Sequence, residues 1–213
     1  MTGEAPTVEQ QFADRPQQYE SAHMGMWTFL ATEVLFFGGF FVSYAVYRHF
    51  YNSDFIIGVK HTLILNGTIN SALLLTSGLT MALAVQAATE NRTKVLVPLL
   101  LVTLFLGLGF LVCKGLEYRE DVADKVVPGA NFDPSLPLHT QIFFWLYWGM
   151  TGLHSVHMIV GVGLLAVITK MAAQRKFSAQ YYTPLEMAGL YWAFVDIVWI
   201  FLYPLLYLIG RHA

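Results

Sequence analysis

Five long apolar runs alternate with short polar or charged stretches along the chain. The first, residues 24–47, reads MGMWTFLATEVLFFGGFFVSYAVY, holds one charge, Glu33, and closes on Arg48 and His49. As a helix rising about 1.5 Å per residue it is long enough to cross the roughly 30 Å apolar layer of a bilayer. The second run, 63–88, has no charge and is rich in Asn, Ser, Thr and Gly. Only a short connection separates it from the third, 95–118, so the two are expected to pack as an antiparallel hairpin. Pro98 falls in the first turn of that third run, where a missing amide donor costs little. The fourth run, 141–169, opens on Phe143, Phe144, Trp145, Tyr147 and Trp148, rings that suit an interfacial aromatic belt. Before it lies the longest loop, where Pro128, Gly129, Pro134 and Pro137 oppose a continuous helix. The fifth run covers 186–209. The pattern predicts an all-α fold, an integral membrane five-helix bundle, with one transmembrane domain over 24–213 behind a polar tail over 1–23.

Composition points to the same class. Charged residues make up 12% of the 213 positions, about half the share of a soluble domain. Five spans of about 20 residues use about half the chain and leave no room for a separate soluble catalytic domain. Glu4, Glu9, Asp14 and Glu20 against Arg15 make the tail read as extended and aqueous, without the basic stub and short apolar core of a signal peptide. Cys113, the one cysteine, sits in an apolar run, which excludes a disulfide framework, a CxxC metal site and a CxxCH haem attachment. A net charge of -2 with no basic cluster argues against nucleic acid as a partner. Arg15, Arg92, Lys94, Lys170, Arg175 and Lys176 on one side balance Arg48, Lys60, Lys114, Arg119, Lys125 and Arg211 on the other. Discounting Lys114 as intramembrane tips the orientation towards a cytoplasmic N-terminus.

A carboxylate near the centre of a span costs on the order of 3 kcal/mol to insert, which singles out Glu33 and Asp196. Phe29, Phe36, Phe37 and Phe40 surround Glu33 at helical spacing. It is either a protonatable or lipid-contacting site, or a carboxyl bonded to another helix for packing. Asp196 shares a helix face with Trp192, Trp199 and Tyr203, two indole donors and a phenol, as a structural clamp or a member of a proton network. Glu186, at the start of the same run, is explained by helix capping. His154 and His157 fall on one face of the fourth run, where interhelical hydrogen bonding is the default, since no thiolates accompany them and haem needs histidines at matched depth on different helices. Lys114 and Glu117, three apart at the far end of the third run, are expected to form an ion pair. Asn66 and Asn70 join Gly67, Ser71, Thr76 and Gly78 in a polar, small-residue packing seam. No Ser/His/Asp set, HExxH motif or paired catalytic carboxylates can be picked out, so no catalytic residue and no metal site is expected in this chain.

Four segments are familiar as a set: GMWTFLATEVLFFGGFF over 25–41, CKGLEYRE over 113–120, TGLHSVHMIVG over 151–161 and LYWAFVDIVWIFLYPLLYL over 190–208. In this order they resemble subunit III of the haem-copper oxidases, and they touch four of the five spans. The chain is similar to the shorter bacterial form, which lacks the first two of the seven helices of mitochondrial members, so an incomplete V-shaped lipid cleft is implied. The resemblance implies a subunit that binds no haem or copper itself, packs on subunit I beside subunit II, and supports proton uptake and turnover partly through bound phospholipid. Glu33 resembles the glutamate of the family's SEV/TEV motif, His154 and His157 the histidines of TGxHxxH, Glu117 the glutamate of EY, and Asp196 and Trp199 those of FVDxVW. Ala193 stands where the family's WHFVD has histidine, so whatever that histidine does is missing here.

The expected function is therefore that of a non-catalytic subunit of a cytochrome c oxidase in a bacterial inner membrane, with haem and copper held by partner subunits. The alternatives are a subunit III-like protein of a quinol oxidase or nitric oxide reductase, a small proton-coupled transporter using Glu33 and Asp196, and a dihaem electron carrier. A transporter predicts an inverted repeat or broken helices, and neither is visible in the sequence.

Overall fold

The computed structural model describes residues 11–129, 132–177 and 181–211. Glu4, Glu9 and His212 lie outside these. Among the described residues there is no strand, and five helices are long and apolar enough to cross a membrane. The protein is an all-α membrane bundle.

Helix α1, Arg15–Phe50, begins ahead of the first apolar run. Asp14, in extended backbone, accepts the Gln17 N–H through Oδ1 at 2.9 Å, and Pro16 sits in the first turn with no amide to satisfy. Hydrophobicity alone places the start at Met24; the cap moves it to Arg15. Its 36 residues extend about 54 Å, so one end projects beyond an apolar layer. Helix α2, Asn52–His61, is a short segment that the apolar pattern leaves as loop. It buries Phe55 and Val59, with the Phe55 ring 5.6 Å from that of Phe143.

Helices α3, Ile64–Thr89, and α4, Thr93–Ala123, form the expected hairpin. Asn91 takes a left-handed φ of 58°, which lets the Arg92 N–H reach Ala87 O at 2.8 Å and closes α3. Because α4 starts at Thr93, Pro98 lies in its second turn rather than its first. The Lys94 carbonyl loses its amide partner there, on an exposed stretch where the loss is small. The buried residues of α4 are Leu96, Leu100, Thr103, Gly107, Phe110, Lys114, Glu117 and Asp121, alternating in steps of four and three. That is the spacing of a helix seam packed knobs into holes, and its last three members are charged.

Helix α5, Thr140–Ala173, and helix α6, Thr183–Tyr203, complete the bundle. The rings at the start of α5 do not form a belt together: Phe143, Phe144 and Tyr147 are buried in the core, while Trp145 remains exposed. Pro204 has no N–H to continue α6, and the chain widens into a π turn over Pro204–Leu208, closed by the Ile209 N–H on Pro204 O at 3.0 Å. This turn carries Leu206 and Tyr207 into the core. Helix α6 is the central element, packed on α1, α3 and α5. It enters deeply because Gly107 and Gly161 leave room for Trp192: a Cβ at Gly107 would stand 2.7 Å from Trp192 Cη2, and one at Gly161 3.1 Å from Cζ3. Helix α1 is peripheral and buries only Leu30, Phe37 and Tyr44, seven residues apart. Its outward Val34, Leu35, Val42 and Phe50 are exposed, as a lipid-facing or subunit-facing surface requires.

Candidate functional site

The charged end of the α4 seam is built into the bundle, not left at its boundary. Lys114 Nζ lies 3.1 Å from Glu117 Oε2, with side chains 2% and 0% exposed. Burial of that pair is tolerable only if the remaining valences are met; tyrosines from two other helices meet those of Lys114 and of Glu117 Oε1, while Glu117 Oε2 has the ion pair alone. Lys114 donates to Tyr147 OH at 2.9 Å and to Tyr207 OH at 2.7 Å. Both phenols then donate onward to Glu117 Oε1, Tyr147 at 2.8 Å and Tyr207 at 2.6 Å. Asp121 Oδ2 stands 3.1 Å from Tyr147 OH as a second acceptor. The ammonium also lies 4.9 Å from the centre of the Tyr118 ring and 4.7 Å from that of Tyr147, positions of cation–π attraction. Tyr118 OH donates to Thr151 Oγ1 at 2.9 Å, which in turn donates to Tyr147 O at 2.6 Å. The cluster thus ties α4, α5 and the π turn after α6 with one cation and two carboxylates.

Glu33 is joined to the rest of the bundle by His157. Nε2 of His157 lies 3.1 Å from Glu33 Oε2, and Nδ1 lies 2.9 Å from Leu153 O. A carbonyl only accepts, so Nδ1 carries a proton. The Glu33–His157 contact therefore holds one further proton, on the imidazole in an ion pair or on the carboxyl in a neutral pair. Phe37 and Phe194 pack beside the imidazole, with ring centres 5.5 and 6.3 Å away. Tyr191 OH donates to His157 O at 2.9 Å and fixes the same turn from α6.

His154 departs from the expected interhelical hydrogen bond. Both its ring nitrogens are buried without a partner, because its neighbours are the rings of Phe110, at 5.4 Å, and Trp199, at 5.1 Å. Asp196 also departs from expectation: the indoles on its face turn to α3 instead. Trp192 Nε1 donates to Ser77 Oγ and Trp199 Nε1 to Ser71 Oγ, each at 3.0 Å, and Tyr203 OH pairs with Thr68 Oγ1 at 2.7 Å. Asn70 is buried with both amide atoms unpartnered, while Asn66 is half-buried. Glu186 lies in the first turn of α6, as expected for a carboxylate at the positive end of the helix dipole, without a side-chain cap bond; it faces α1, with His23 Nε2 3.4 Å from Oε2 and Tyr19 OH 3.5 Å from Oε1. Among the described residues no group of three or more His, Cys, Asp or Glu side chains is arranged to hold a metal.

The family model for cytochrome c oxidase subunit III matches residues 16–211, nearly the whole described bundle. The chain belongs to this family. Named cytochrome c oxidase subunit 3 proteins are similar to it along most of its length. The one from Loxodonta africana is 31% identical over 204 residues, and the one from Salmo salar 30% over 208, each covering 90% of this chain and 71% of the relative. A cytochrome c oxidase subunit 3 from Cyprinus carpio is 31% identical over 208 residues, with the same coverage.

In this subunit III, most of the polar residues singled out from the sequence fall into three separate places. Glu33 and His157 meet between α1 and α5, and Lys114 and Glu117 lie in the core cluster. Asp196, with Trp192, Trp199 and Tyr203, lies along α3 and α6. The sequence pattern does not single out Asp121, Tyr147 or Tyr207 for this site, yet all three complete the cluster. Continuing the steps of three and four from Phe110 through Lys114 and Glu117 leads to Asp121. The tyrosines lie on other helices and carry no comparable local signal.

Proposed function

We propose that this chain is the non-catalytic third subunit of a respiratory cytochrome c oxidase, steadying subunit I and supporting proton uptake and phospholipid binding while oxygen is reduced to water. Haem and copper belong to partner subunits, subunit I is the main contact and subunit II a further neighbour, and phospholipid covers the outer helices. The complex lies in a bacterial inner membrane with the N-terminus of this chain in the cytoplasm. The observation that carries this reading is the contact of His157 with Glu33, which holds one proton between α1 and α5 within a family of oxidase subunits. A carboxyl–imidazole pair takes up or gives up a proton without redox chemistry of its own. The core cluster around Lys114 supplies rigidity, since each phenol both accepts from the lysine and donates to Glu117.

The test is purification of the tagged full chain from its native membrane, with identification of what accompanies it and a reduced-minus-oxidised spectrum. Co-purification of a large haem-copper subunit with an oxidase band supports the proposal. Recovery of the chain alone, or with a haem band of its own, overturns it, and recovery with nitric oxide reductase subunits reassigns the complex.

A further inference from the structure

On the outer groove between α3 and α6 the polar side chains of α6 are nearly all engaged. Trp192, Trp199 and Tyr203 bond to Ser77, Ser71 and Thr68 of α3. Asp196 lies among them and is not engaged. The residue is 8% exposed, and no donor among the described residues reaches its buried Oδ1. Its Oδ2 rests against Gly78, where any Cβ would collide with it. The backbone is thus shaped to admit this carboxylate, but no side chain among the described residues donates to either of its oxygens.

Two cavities flank the contact of Asp196 with Gly78, one on each residue's side. One, of about 260 Å³, is lined by Asp196 itself with Ser71, Leu75, Ile200 and Tyr203. The other, of about 320 Å³, is lined by Gly78, Ala82, Gly189 and Ala193. Small residues on both helices let another backbone approach closely, and the exposed Leu75, Leu79, Ile197 and Ile200 give the groove apolar flanks.

Depth decides what fills it. Asp196 lies about 20 Å along the helix axis from Thr183 and a similar distance from Leu208. Lipid headgroups do not reach that depth, and acyl chains carry no donor. What reaches it is a side chain on another membrane-spanning helix.

We propose that the α3/α6 groove receives a transmembrane helix of a partner oxidase subunit, and that this helix donates a hydrogen bond or a cationic group to the Asp196 carboxylate at Oδ2, the oxygen that is not sealed inside the chain. The inference rests on the oxidase-subunit function proposed above and assigns the face and the residue through which it docks.

The experiment uses the whole complex. Cys113→Ser provides a cysteine-free chain, into which Leu75→Cys or Ile200→Cys is placed in the groove and Leu35→Cys on outward α1. Each is labelled with a benzophenone maleimide, irradiated in the native membrane and analysed by mass spectrometry. The expected result is protein adducts with an oxidase subunit at both groove positions. If the haem-bearing complex still purifies but the groove positions give only lipid adducts or none, the docking face is wrong while the oxidase function stands. If no oxidase subunit accompanies the chain, both fall. Asp196→Leu is expected to lower the partner subunit retained through a detergent wash by about tenfold or more, and Asp196→Asn, which still accepts, by much less. Equal retention in Asp196→Leu and the parent overturns the hydrogen bond to Asp196.

Discussion

Tyr207 donates its phenolic proton to Glu117 Oε1 across 2.6 Å, fastening the π turn after α6 to the charged end of α4. Because Lys114 donates to the same phenol, removing any one member leaves others buried and unsatisfied. Tyr207→Phe is expected to cost about 1–3 kcal/mol. Lys114→Met, which strands the Glu117 charge, should cost about 3–5 kcal/mol. The double variant Lys114→Met/Glu117→Leu should recover much of that loss. Thermal unfolding of the detergent-solubilised chain checks all three, and a double variant no better than Lys114→Met would show that the cluster is not held by its charges.

The close fit of α6 gives a second expectation. Gly107→Ala sets a Cβ 2.7 Å from Trp192 Cη2, and overpacking of this kind costs about 1–3 kcal/mol. Gly115 lies on the same helix, and a Cβ there would meet nothing within 4 Å, so Gly115→Ala should be neutral or stabilising by up to about 1 kcal/mol. The same unfolding measurement separates the two.

The long loop carries a pH-dependent element. The Ser135 N–H reaches Asp133 Oδ1 at 2.9 Å, and this bond holds the Asp133 carboxyl below the usual carboxylate range. A carboxyl lowered in the folded state contributes stability that is present above its unfolded value and is lost as pH falls through the folded one. The Ser135 amide should therefore keep its protection at neutral pH and lose it in acid below about pH 4. Hydrogen exchange followed by mass spectrometry reads this directly, and Asp133→Ala should remove the pH dependence.

Much of the bundle is legible in the sequence because each span is a long apolar run, and hydrophobicity needs no tertiary information. What it misses is set by local caps and by distant register. Asp14 and Pro16 start α1 at Arg15, although the apolar run begins at Met24. The close contact of Lys114 with Glu117 follows from their spacing on one helix. Tyr147 reads as a belt residue because an aromatic near a helix end suits an interface as well as a core. The partners of Trp192 and Trp199 depend on how α6 slides against α3, which no spacing within either helix specifies. Asp196 shows the converse: it sits among residues able to bond it, and the packing aims them elsewhere, while His154 is enclosed by the rings of Phe110 and Trp199.

Glu33 offers the most direct test of the proposed function, because Gln keeps the size of the side chain and removes the proton shared with His157. Oxidase purified with Glu33→Gln should retain its full subunit composition and unchanged haem spectrum, start at the wild-type rate, and lose activity or bound phospholipid faster during prolonged turnover. A time course of oxygen consumption, with lipid analysis before and after, gives the answer. A Gln variant that matches wild type in both would contradict the proton and lipid role and leave Glu33 as a packing contact between α1 and α5.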